Sequence, residues 1–157
     1  MVNRLETKNI TLTVGSNNMK AKQHKLTVLH QNICSLRHKV TDLEVLLSTE
    51  LKDVDVLCLK EHWQNAQTIS CTNICNFKPV SAFCRMSTNH GGSGIYVKDG
   101  QISGEMSCFT EICEETNFEM PLIELPIYKL IIVCIYRSPD GYLGKFLAKL
   151  ELVIQKL

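Results

Sequence analysis

The chain has 157 residues, 45% of them hydrophobic and 21% charged, ordinary values for one globular domain able to bury a core. Seventeen Lys and Arg against sixteen Asp and Glu leave a net charge of +1, so the overall charge points to neither a polyanion nor an anionic membrane. With no apolar run of about 18 residues and no basic-apolar leader, the sequence predicts an intracellular protein, cytoplasmic or nuclear, with no membrane span.

Residues 1–24 are polar, carry Asn3, Asn9, Asn17 and Asn18 and hold no sustained period. They predict a loose arm or a short edge strand ahead of a domain over residues 25–157. Leu26-Thr27-Val28-Leu29-His30-Gln31-Asn32-Ile33 reads as a strand, with Ser35 as the N-cap of the helix after it. Leu36, Val40, Leu43, Leu47 and Leu51 recur every three to four residues and predict an amphipathic helix over 36–52. Next, Val54, Val56, Leu57, Cys58 and Leu59 form the short β-branched-rich block of a strand buried on both faces. Strand, helix and buried strand in this order make a β-α-β unit with a right-handed crossover.

The middle is different in kind. Short β-like pieces around 78–85, 94–98 and 122–125 are separated by Asn, Gly, Ser and Pro signals and look antiparallel. The strongest strand spans Tyr128 to Tyr136, reads as central, and ends in the turn cluster Arg137-Ser138-Pro139-Asp140-Gly141. Leu143, Phe146, Leu147, Leu150, Val153, Ile154 and Leu157 then fall on one face of a helix expected to cover that sheet.

Cys34, Cys58, Cys71, Cys75, Cys84, Cys108, Cys113 and Cys134 show no paired C-x-x-C spacing, and reduced thiols are expected. Cys58 and Cys134 lie inside apolar strand patterns and Cys34 closes another, where free cysteine acts as a small hydrophobe. Cys71 and Cys75 lack two further zinc ligands at suitable spacing, and nearby His62 and Cys84 complete no recognised pattern. The Asn9-Ile10-Thr11 sequon carries little meaning without a secretory leader.

Three polar positions stand at strand ends: His30 to Asn32 after the first strand, Glu61 after the block VDVLCLKEHW, and Tyr136-Arg137 after the strongest strand. Ligands in open α/β sheets gather at the carboxyl ends of strands. A metal-binding carboxylate would stand where Glu61 stands, although a strand-end acid can equally be a solvated loop residue.

The ordered stretches QNICSLRHKVTDLEVLL, DVDVLCLKEHW, HGGSGIYVKDG and IIVCIYRSPDG resemble the endonuclease/exonuclease/phosphatase family. Within it they are most similar to the apurinic-endonuclease-like domain of non-LTR retrotransposons, over residues 25 to 157. The resemblance implies an α/β fold, part of a two-sheet α/β sandwich, and a Mg²⁺-dependent endonuclease, Mn²⁺ serving as a substitute, that nicks DNA by attack of water on a phosphodiester. Asn32 matches the family asparagine that helps place metal and phosphate, Glu61 the metal-binding glutamate, and Tyr136 the tyrosine beside the scissile phosphate. Arg137 could pair with phosphate oxygens or could be surface filler. Tyr136 could equally pack in its strand and Asn32 could cap a turn. His62, where family members more often carry threonine, reads as a tolerated surface change.

The family's Asp-x-Asn and Ser-Asp-His elements do not occur in this sequence. On the resemblance the chain is therefore the front half of the domain, lacking the C-terminal half, weak or inactive as a nuclease alone. An open sheet edge would then favour self-association. Two other readings stay open: a non-catalytic fragment offering its unfinished sheet to a partner, and a phosphatase or phospholipase acting on small phosphate esters.

Overall fold

Leu26 and Val28 join one buried apolar cluster while Leu29, on the opposite side of the same strand, joins another. The same division recurs at Val56 and Cys58 against Leu57 and Leu59, and at Ile95 and Val97 against Tyr96. Period-two alternation with both faces apolar is what places these strands in the interior of a layered fold.

The computed structural model describes residues 8–14 and 24–157. In chain order they form β1 (Lys8–Val14), β2 (His24–Asn32), a 3₁₀ turn (Leu36–His38), α1 (Val40–Thr49), β3 (Val56–Lys60), α2 (Ala66–Cys71), β4 (Phe77–Phe83) and β5 (Ser93–Lys98). There follow β6 (Gly104–Glu105), a 3₁₀ turn (Ser107–Ile112), β7 (Leu122–Leu125), β8 (Leu130–Val133) and α3 (Leu143–Lys156). A mixed five-stranded sheet runs β1-β2-β3-β5-β4 and a three-stranded antiparallel sheet runs β6-β7-β8. Among the described strands only β2 and β3 pair in parallel, with α1 between them in the chain, which is the predicted β-α-β unit.

Three cores set the layers. Leu43 and Leu47 of α1 and Ile69 of α2 pack on one face of the large sheet. Val28, Val56, Ile95 and Val97 on its other face meet Ile123, Leu125 and Cys134 of the small sheet's strands and their continuation. Phe109, Ile112, Phe118, Met120 and Leu122 then pack with Val153 of α3. The order is helix, sheet, sheet, helix, a mixed α/β fold with two sheets. No described helix is long and apolar enough to cross a membrane.

Several expectations change. β1 pairs antiparallel with β2 at the edge of the large sheet, as a short edge strand; most of the predicted arm, residues 1–7 and 15–23, lies outside the described residues. The helix expected over 36–52 is a 3₁₀ turn followed by α1, because Leu36 N–H is drawn to the His62 carbonyl at 3.1 Å, which separates the first turn from the helix axis. Ser35 occupies the N-cap place with a φ of 80° and makes no side-chain capping bond. α2 has no counterpart among the predicted elements: only Ile69 of its six residues is buried, too few for a periodic signal. Its start is fixed by Asn65, whose Oδ1 accepts from Gln67 N and Thr68 N while Thr68 Oγ1 accepts from Asn65 N.

The strand expected from Tyr128 to Tyr136 is also shorter and differently placed. β8 covers four residues and lies at the edge of the small sheet, with Ile131 39% exposed. Tyr128 and Lys129 turn the hairpin, their N–H groups donating to Leu125 and Pro126. Tyr136 pairs as an isolated bridge with Glu119. The apolar run records hydrophobicity on two faces, and that does not distinguish a central strand from an edge strand covered by a second sheet. On α3, Val153 is buried and Phe146 and Leu150 pack against the core, whereas Leu143, Leu147, Ile154 and Leu157 are exposed, so the expected stripe covers the sheet with less than half of its members.

Candidate active site

Because β2 and β3 are parallel and in register at Asn32 and Lys60, their carboxyl ends come out at one edge. The chain beyond both is tied together there. Ile33, Ser35 and Leu36 donate backbone N–H groups to the carbonyls of Lys60, Glu61 and His62, at 2.9, 2.9 and 3.1 Å. From the other side Glu61 N donates to Gly92 O at 2.7 Å and Trp63 N to Gly91 O at 3.0 Å. Cys34, Ser35, Glu61 and Trp63 all hold left-handed backbone, with φ of 44°, 80°, 55° and 56°. Each such residue costs on the order of 1–3 kcal/mol and persists only where its surroundings over-determine it, which these five backbone bonds do.

Gly91 and Gly92 are required by this arrangement. Both have positive φ, and a Cβ on Gly91 would collide with the Arg85 guanidinium, one on Gly92 with the His62 ring at 2.5 Å. His62 is fully buried, its Nε2 3.0 Å from the Phe83 carbonyl and its Nδ1 accepting from Gln64 N at 3.0 Å. The expectation of a tolerated surface change is corrected: His62 is the internal anchor of the turn that carries Glu61. Burial holds its pKa below the ordinary histidine value, partly offset by the Phe83 and Ser93 backbone, so the ring is the neutral Nε2–H tautomer.

Asn32, Glu61 and Tyr136 converge. Asn32 Nδ2 donates to Glu61 Oε1 at 2.8 Å and the Tyr136 hydroxyl donates to the same oxygen at 2.9 Å. Cys34 Sγ lies 3.2 Å from Glu61 Oε2 and 3.0 Å from Asn32 Oδ1. Burial pushes the Glu61 carboxyl up, but hydrogen bonds from Asn32, Cys34 and Tyr136 and the charge of Lys60 more than offset it, leaving Glu61 below the usual carboxylate range. Burial and the adjacent Glu61 push the Tyr136 phenol up to about 12. Burial and Glu61 likewise raise the Cys34 thiol. The cluster at neutral pH is therefore one carboxylate held by three protonated donors.

Beneath Tyr136 lies a buried ion pair that no sequence signal announced. Arg85 Nε donates to Glu119 Oε1 at 2.5 Å, and Nη2 lies 2.5 Å from the same oxygen without a hydrogen-bonding angle. The two side chains are 8% and 0% exposed. Glu119 also accepts from Gly92 N at 2.8 Å and Thr116 N at 3.1 Å, and its backbone exchanges both bonds with Tyr136. Burial raises its carboxyl, against the pull of Arg85 and those two N–H groups. The Arg85 guanidinium stands 5.9 Å from the Tyr136 ring centroid and Lys60 Nζ 6.0 Å, near the outer limit of a cation–π contact. One residue thus ties the glycine turn behind Glu61, through its side chain, to the segment that carries Tyr136, through its backbone.

Arg137 does not join the cluster. Its Nη1 donates to the carbonyls of Gly141 at 2.6 Å and Ser138 at 3.1 Å, closing its own turn. Cys34 leaves its predicted place as a strand-closing hydrophobe for the site itself, because the left-handed backbone at 34 and 35 swings it over Asn32. All eight cysteines are free, with Cys71 and Cys75 exposed, and among the described residues no group of three or more His, Cys, Asp and Glu could hold a metal ion.

Glu61 Oε2 and Asn32 Oδ1 each contact Cys34 Sγ; a hard cation such as Mg²⁺, which takes oxygen ligands and keeps several waters, would be held by these two side chains, whereas a zinc site would need further ligands. Compared with protein-family models and with curated proteins, the chain matches none.

Proposed function

We propose that this domain binds a phosphodiester of DNA at the Asn32–Glu61–Tyr136 cluster as a relative of the retrotransposon endonucleases of the endonuclease/exonuclease/phosphatase family, with Mg²⁺ or Mn²⁺ held by Glu61 and Asn32. The observation that carries the reading is the meeting of Asn32 and Tyr136, 29 and 75 residues away from Glu61 in the chain, on the single carboxylate oxygen Glu61 Oε1. A residue serving only as a solvated loop acid has no need of a phenol, an amide and left-handed backbone to hold it.

A bound Mg²⁺ supplies charge that polarises a phosphoryl group. The chain's own residues supply the rest: Glu61 offers a carboxylate that stays ionised through neutral pH, Asn32 fixes its orientation, and Tyr136 presents a protonated hydroxyl. With the Asp-x-Asn and Ser-Asp-His elements missing from the sequence, no described group serves as water-orienting base. Strand nicking by this chain is therefore weak or absent, and binding without cleavage is its main activity.

Titration with Mg²⁺ or Mn²⁺ of the natural chain and Glu61→Gln, beside a supercoiled-plasmid assay with and without chelator, tests this. Weaker metal binding in Glu61→Gln supports the reading, and equal binding in both removes Glu61 from the metal role. Hydrolysis of small phosphate esters without any DNA binding would favour the phosphoesterase alternative.

A further inference from the structure

The turn that carries Glu61 also carries the chain's only tryptophan. Across residues 61 to 63 the buried His62 separates two outward residues, and both of these, Glu61 and Trp63, hold left-handed backbone at φ of 55° and 56°. Their Cα atoms are at most about 7.6 Å apart, two trans peptide links. Left-handed backbone on a residue as bulky as tryptophan is a genuine outlier, and the fold holds it through Trp63 N to Gly91 O at 3.0 Å. Trp63 is 37% exposed. It is braced edge-on by His90, ring centroids 4.5 Å apart and planes inclined at 71°. His90 directly precedes the Gly91–Gly92 pair that pins Glu61, so carboxylate and aromatic pair share one support. A braced ring loses little freedom when a second ring stacks on it.

Resting on the phosphodiester reading above, we propose that Trp63, braced by His90, is a stacking platform for an unpaired nucleobase of the strand whose phosphate lies against Glu61. Every base offers a π-face and stacking is tolerant of sequence, so the platform selects single-stranded or locally unpaired DNA rather than a particular base. A well-paired duplex keeps its bases stacked on each other and cannot use it.

Because Trp63 is the only tryptophan, intrinsic fluorescence reads the platform directly. The full chain is titrated with a labelled single-stranded oligonucleotide and with an abasic strand of equal length, binding followed by anisotropy and stacking by Trp63 emission. The expected result is quenching by the base-bearing strand and none by the abasic strand. Trp63→Ala should weaken binding of the base-bearing strand by roughly five- to a hundredfold without changing abasic binding, and Trp63→Phe should restore most of it, with circular dichroism verifying the fold of each. If the base-bearing strand binds with unchanged emission and equal affinity in Trp63→Ala, the platform is wrong while the phosphodiester reading stands. If neither strand binds, the phosphodiester reading falls and the platform with it.

Discussion

The Tyr136 hydroxyl donates to Glu61 Oε1 at 2.9 Å across 75 residues of chain, joining the end of the strand pair in one sheet to the segment that leaves the other. Neither group titrates as it would alone. The phenol, pushed up to about 12 by burial and by Glu61, remains a donor throughout the neutral and mildly alkaline range. Ultraviolet difference titration of the natural chain against Tyr136→Phe should isolate one tyrosine ionising near 12. In Glu61→Gln that transition should move down toward the ordinary value of about 10, since one of its causes is gone. A phenol whose folded pKa lies above its unfolded value stabilises the fold fully below about pH 10 and loses that contribution as pH rises through about 12.

His62 gives the opposite limb. The native ring resists protonation because it is buried, whereas the unfolded chain takes up a proton near pH 6.5. Stability is therefore present above that value and falls as pH drops below it. Urea midpoints at about pH 7 and about pH 5 should fall further for the natural chain than for His62→Gln, which has no proton to gain. Glu119, raised by burial, titrates with the reverse sign, so the difference between the two proteins rather than either curve alone is the measure. Equal falls would show that His62 titrates normally and is not the internal anchor of its turn.

The elements legible in the sequence are those whose burial is two-sided or strongly periodic. Val56 to Leu59 and Ser93 to Lys98 are nearly continuous buried runs, and their shortness, β-branched content and flanking turn residues favour a buried strand over a buried helix. The positions of Asn32 and Glu61 at the ends of β2 and β3 were legible for the same reason, whereas Tyr136 stands past the end of β8, in an isolated bridge with Glu119 rather than at the predicted strand end. His62, Arg85, Cys34 and Glu119 were not legible, since each owes its role to burial created by distant segments. Nothing local to Arg85 in CRMSTNHGG distinguishes an arginine that meets Glu119 from one in solvent. The glycines came closest to announcing themselves: a Gly-Gly pair opening a strand implies unusual backbone, though not what it supports.

That support predicts a contrast between two glycines of similar backbone. Gly92 has φ of +81° and a Cβ there would meet the His62 ring at 2.5 Å, while Gly100 has φ of +87° and nothing within 4 Å. Gly100→Ala should cost only left-handed strain, about 1–2 kcal/mol. Gly92→Ala adds overpacking against a buried ring, for a total of about 2–5 kcal/mol. It should also shift Glu61, whose N–H donates to the Gly92 carbonyl. Denaturant unfolding of both variants checks the order, and equal costs would mean that the turn relaxes freely around His62.

The last prediction concerns the pair beneath the site. Glu119 is fully buried and receives Arg85, Gly92 N and Thr116 N. Removing one partner of such a pair leaves the other charge uncompensated in a poorly solvated place, at about 3–5 kcal/mol. Glu119→Gln keeps an acceptor oxygen for one of the N–H groups but strands the Arg85 guanidinium, so the full penalty applies. Arg85→Met leaves Glu119 to be neutralised by protonation, which is easier, so its cost should be smaller and should shrink as pH falls. Arg85→Met with Glu119→Gln should cost clearly less than the two singles added together, because no buried charge remains. A double-mutant cycle by urea unfolding measures the coupling. Additive singles would show that the two charges do not act as a unit, and the common support of Gly92 and Tyr136 would then have to lie in the backbone bonds alone.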